Sequence, residues 1–102
     1  MTIAEMKQYF EGGNRGVYVT FLPDDPNTPA AGKYIVRDFE TYTAVRNRYD
    51  LYLTPVSGAF SIEIRATKIL MERLFLSKYS IEMHGTRASD GEPITALVRL
   101  MR

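Results

Sequence analysis

The chain has 102 residues, of which 45% are apolar and 25% charged, with a formal net charge of +1 and no cysteine. That composition fits one globular domain able to form a core unaided, and it excludes disulfide frameworks, thiolate metal centres and cysteine nucleophiles. The near-neutral charge argues against a dedicated polyanion binder, and apolar runs such as Ile69-Leu70-Met71 are far too short to cross a bilayer.

The first element reads as a helix. Thr2 caps it with Glu5 three residues later, Ile3, Met6, Tyr9 and Phe10 share a face, and Gly12-Gly13 ends it. This start lacks the basic stretch and apolar run of a secretory leader, so a cytoplasmic location is expected. Residues 16–22 alternate Val17, Val19 and Phe21 with Tyr18 and Thr20, the pattern of a half-buried strand. Residues 23–32 hold three of the five prolines and form a loop.

Residues 33–37 make a short strand. Asp38 is then in position to cap a second helix running to about Tyr49, with Phe39, Tyr42, Val45 and Tyr49 along one side. Residues 50–65 carry a β-hairpin signature. Leu51 and Leu53 alternate with Tyr52 and Thr54, Pro55 suggests a sheet edge or the end of the first strand, Ser57-Gly58 turns the chain, and Phe60, Ile62 and Ile64 alternate with Ser61, Glu63 and Arg65 on the return. Residues 67–79 show a wide apolar stripe through Ile69, Leu70, Leu74 and Phe75, which predicts a third helix. Residues 80–85 and 93–101 are two further strands, joined across Asp90-Gly91.

The order is helix, strand, strand, helix, strand, strand, helix, strand, strand. It predicts an α+β fold in a single domain spanning residues 1–102: a two-layer domain with a mainly antiparallel sheet of about five or six strands. About three helices cover one face. Such a sheet leaves an edge open for pairing with another chain.

Few residues suggest chemistry. The run Gly12-Gly13-Asn14-Arg15-Gly16 leaves a helix instead of entering one and lacks a following Gly-Lys-Ser/Thr, so it reads as a turn and not as a phosphate cradle. In Arg15-Gly16-Val17-Tyr18-Val19 only the first two residues suit an RNA-binding strand motif. His84 is the single histidine. Glu82 lies two residues away on the same strand face, which is compatible with a general base or a metal ligand, but no second histidine or HExxH pattern accompanies it. No serine occupies a nucleophile elbow. No catalytic residue, metal ligand or cofactor is therefore assigned.

The best recognition candidates are Arg37, Tyr42, Arg46, Arg48, Tyr49 and Tyr52. Arginine and tyrosine dominate protein hot spots and also stack on nucleic-acid bases. Arg99 and Arg102 would extend this patch if the last strand lay beside it. Size, missing catalytic motifs and balanced charge look like those of the small accessory proteins of bacteria and their phages, which inhibit or adapt another protein. The expectation is a non-enzymatic regulatory module that binds another protein, with homodimerisation through a sheet edge or helix face a further option. Nucleic-acid binding through the same patch is the alternative, and a small hydrolase or metal enzyme centred on His84 the second.

Overall fold

Alternating apolar and polar residues build strands along most of the chain, and those strands close on themselves. The computed structural model describes residues 3–42, 44, 46–71 and 80–100. One helix, α1 (Ile3–Phe10), precedes β1 (Arg15–Leu22), β2 (Gly32–Tyr42), β3 (Arg48–Pro55), β4 (Ile62–Met71), β5 (Ser80–Arg87) and β6 (Pro93–Leu100). Each strand pairs antiparallel with the next, and β6 returns to pair with β1, giving a closed six-stranded barrel. Val19 thus faces Gly32 of β2 on one side and Val98 of β6 on the other.

The alternation decides which residues fill the barrel. Val17, Val19 and Phe21 of β1, Leu51 and Leu53 of β3, Ile62 and Ile64 of β4, and Ala96 and Val98 of β6 are all buried inside. Their odd or even neighbours form the outer wall. α1 has too few turns to be stable alone. It folds against β2 by burying Met6 and Phe10 in the same core, with the Phe10 and Phe39 rings 5.9 Å apart. Gly12 and Gly13 then turn the chain with φ of 89° and 70°, a conformation that costs glycine little.

This overturns the expected two-layer α+β domain with three helices. Of the residues read as a second helix, 38–42 end β2 and 48–49 begin β3, while Thr43 and Val45 lie outside the described residues. Asp38 caps no helix; its carboxylate accepts a hydrogen bond from the Phe39 amide inside β2. Of the third expected helix, residues 67–71 belong to β4 and residues 72–79 lie outside the described residues.

The cause lies in two β-bulges. The pairing register shifts between Val36 and Asp38 in β2 and between Ala66 and Lys68 in β4. A bulge inserts one residue into a strand, so Val36 and Phe39 both face the core three positions apart, and Ala66 and the half-buried Ile69 repeat that spacing. A three-residue interval between apolar residues imitates a helix. Closure also removes the expected open edge, because β1 and β6 each have two partners, so no edge-paired dimer can form without opening the barrel.

Candidate recognition surface

The outer wall of β2, β3 and β4 gathers most of the candidate residues. On β3, Arg48, Asp50 and Tyr52 point outward while Tyr49, Leu51 and Leu53 alternate with them. Tyr42 is the lateral neighbour of Arg48, and Asp50 lies between Glu40 of β2 and Arg65 of β4. Arg65 in turn neighbours Thr86 of β5. The cross-strand row therefore sets two carboxylates, Glu40 and Asp50, side by side, an unfavourable pairing that Arg65 on the other flank of Asp50 offsets.

At the centre sits Asp50, an outward-pointing carboxylate that is only 2% exposed. Arg48 folds over it: Nη2 donates to Oδ2 at 3.2 Å, and Nε faces Oδ1 at 3.1 Å without hydrogen-bond alignment. The Arg48 guanidinium also covers the Tyr42 ring at 4.4 Å, a cation–π contact. Tyr42 donates its hydroxyl proton to Glu40.

Burial pushes the Asp50 carboxyl above the usual carboxylate range, with Glu63 adding to the shift and Arg48 and Arg65 opposing it. The Tyr52 phenol is pushed up by its hydrogen bond to Glu63 and then by burial, and the Tyr42 phenol by its hydrogen bond to Glu40 and then by burial. Both phenols therefore stay neutral.

Two depressions flank this cluster. One, of about 630 Å³, has Arg37, Asp38, Tyr52, Glu63, Arg65 and Ser89 among its lining residues. The other, of about 430 Å³, lies between Tyr42, Arg46, Arg48, Arg65, Thr67 and Thr86. Arg65 lines both.

The structure brings Tyr42, Arg46, Arg48 and Tyr52 to this face. Arg37 stands at the β2 bulge, at the rim of the larger depression, where its guanidinium donates to Asn14 Oδ1. Tyr49 does not join them; it packs partly buried against the core. Arg99 lies on β6, stacked over Tyr18 of β1 at 5.3 Å, so the last strand does not border β2 or β3. Arg102 lies outside the described residues.

Sequence reasoning missed Asp50, Glu63, Arg65, Thr67 and Thr86. The hairpin alternation already placed Glu63 and Arg65 opposite the outward residues of β3. Thr67 and Thr86 depend on a bulge and on the β4–β5 register, which leave no comparable trace.

His84 occupies the outer face of β5. Its Nε2 is hydrogen-bonded to Glu82, and Nδ1 lies 3.3 Å from Thr95 Oγ1 of β6. The two depressions do not include it. Among the described residues no group of three or more His, Cys, Asp or Glu side chains is arranged to hold a metal ion. No helix among them is long and apolar enough to cross a membrane. No protein-family model matches this chain, and neither a curated protein nor a solved structure matches it.

Proposed function

We propose that this protein is a non-enzymatic binding module, acting in the cytoplasm, that recognises another protein through the outer wall of β2, β3 and β4. The observation that carries this reading is the ordered Tyr42–Arg48–Asp50 cluster between two surface depressions. Arginine and tyrosine side chains already held in place lose little entropy when a partner covers them, which is how hot spots concentrate binding energy. The larger depression adds the Tyr52 ring and the side chains of Arg37 and Arg65 to these groups, residue types enriched at protein interfaces.

The mutations that test this avoid Arg48, because Arg48→Glu would set two carboxylates against each other at the buried Asp50. Arg46 is exposed and makes no hydrogen bond or ion pair among the described residues, and Tyr52 is half-buried at the edge of the larger depression. The partner is captured from nuclease-treated lysate, identified and purified. Its affinity for Arg46→Glu/Tyr52→Ala should fall by more than about thirtyfold, the loss of one strong hot spot, with the circular dichroism melt retained. Unchanged affinity would remove this wall from the interface. Capture that disappears with nuclease, leaving bound DNA or RNA in the untreated sample, would favour a nucleic-acid ligand.

A further inference from the structure

The smaller depression has a chemistry of its own. The side chains of Arg46, Arg48 and Arg65 line it with Thr67, Thr86, Tyr42 and Ala44, and among the described residues no carboxylate-bearing residue is part of the lining. Their residues come from β2, the β2–β3 connection, β3, β4 and β5. The three cations are not spent internally to the same degree. Arg48 is held by Asp50, whereas Arg65 is half-exposed and reaches Glu63 only at 3.5 Å. Arg46 is exposed and has no hydrogen bond or ion pair among the described residues.

We infer that this depression is an oxyanion site for a single phosphate monoester carried on a side chain of the partner protein. The inference rests on the protein-binding reading above. A phosphate monoester offers three terminal oxygens and close to two negative charges, so it can accept from guanidiniums and hydroxyls that converge from several directions. A lone carboxylate offers one charge and a planar pair of acceptors, and so uses less of the lining.

Polynucleotide chemistry fits the surroundings poorly. A polynucleotide needs a continuous cationic track. Here Asp38 and Glu63 line the neighbouring depression, and Glu40 and Asp50 border Arg48 and Arg65. A second phosphate beyond the first would meet carboxylates. One localised anion, with the rest of the partner segment lying over the larger depression beside Tyr52, satisfies both depressions.

The test is an amide and arginine Nε–H NMR titration at low ionic strength, with O-phosphoserine, inorganic phosphate, aspartate and a short single-stranded oligonucleotide as probes. O-phosphoserine should give saturable shifts at Thr67, Thr86 and the three arginines. Arg46→Ala/Arg65→Ala should weaken it at least about tenfold, the loss of one to two charge-assisted contacts, and aspartate should bind more weakly than O-phosphoserine. Both arginines are exposed enough that the double variant should keep its melting curve, which is checked alongside. An absence of saturable shifts, equal affinity in the double variant, or aspartate binding as well as O-phosphoserine would overturn the site. Inorganic phosphate binding more tightly than O-phosphoserine would assign it to a free anion, and a tighter-binding oligonucleotide would assign it to nucleic acid. Failure here, with partner capture still sensitive to Tyr52→Ala, would remove the phosphate site and leave the protein-binding reading standing.

Discussion

At the residue scale, Asp50 is the most exacting side chain of the outer wall. Its carboxylate is buried under Arg48, with Glu63 and Arg65 beside it from β4 and Glu40 and Tyr42 from β2. Desolvation raises its pKa in the folded state above the usual carboxylate value. The native protein therefore keeps this proton to a higher pH than the unfolded chain does. By linkage, the Asp50 contribution to stability falls as pH rises from the ordinary carboxylate value through the raised one, and is constant above it. Asp50→Asn removes that dependence. Arg48, whose side chain is 40% exposed, can still reach water in the variant. The stability of Asp50→Asn relative to the parent should therefore increase as pH rises from the ordinary carboxylate value through the raised one. Urea titrations at several pH values measure this, and the other carboxylates cancel in the difference. A difference that stays flat or declines with pH would show that the Arg48 ion pair outweighs the desolvation.

At the scale of elements, the two bulges explain both the barrel and the difficulty of reading it. A bulge bends and twists its strand, which is how a sheet of only six strands turns its corners. Each bulge here has a glycine against it. A Cβ on Gly13 would lie 3.0 Å from the carbonyl oxygen of Arg37, and one on Gly85 would lie 2.0 Å from the carbonyl oxygen of Arg65 and 2.6 Å from the Ala66 Cα. The second clash is with backbone, so β4 and β5 would have to separate. Gly85→Ala should cost about 3 kcal/mol or more in chemical denaturation, at the upper end of overpacking losses. Gly16→Ala is the control: a Cβ there meets nothing within 4 Å, and the change should stay within about 0.5 kcal/mol.

The stretches clear of a bulge were legible. Residues 16–22, the 50–65 hairpin ahead of the β4 bulge and the last strand all alternate cleanly, and α1 announces itself through its apolar face and its glycine stop. The two elements misread as helices begin at Asp38 and Thr67, the very places where the register shifts. Local periodicity cannot separate a bulged strand from a helix turn, because both bring residues three apart to one side. For the candidate site, Tyr42, Arg48 and Tyr52 could be named from their types. That Tyr49 faces inward while Arg65 completes the cluster follows only from strand pairing across three strands.

At the scale of the whole molecule, closure sets what the protein can offer a partner. A sheet with an open edge can recruit an extended peptide by main-chain hydrogen bonding. This barrel pairs β1 with β2 on one side and β6 on the other, over Val17–Leu100 through Leu22–Thr95 on the closing seam. Recognition must then come from side chains on the outer wall or from the loops at the barrel ends, which makes the identity and pre-ordering of those side chains decisive. The closing seam itself is open to measurement. In a closed barrel the amides of β1 and β6 bond to neighbours on both sides, so their exchange requires the same opening that exposes β3 and β4. Native-state hydrogen exchange should show protection across β1 and β6, including Val19 and Val98, comparable to that at Leu51 and Leu53. If alternate amides along β1 or β6 exchange orders of magnitude faster than those of β3, the seam is open in solution, and pairing of a partner strand at that edge becomes the mode of binding to test.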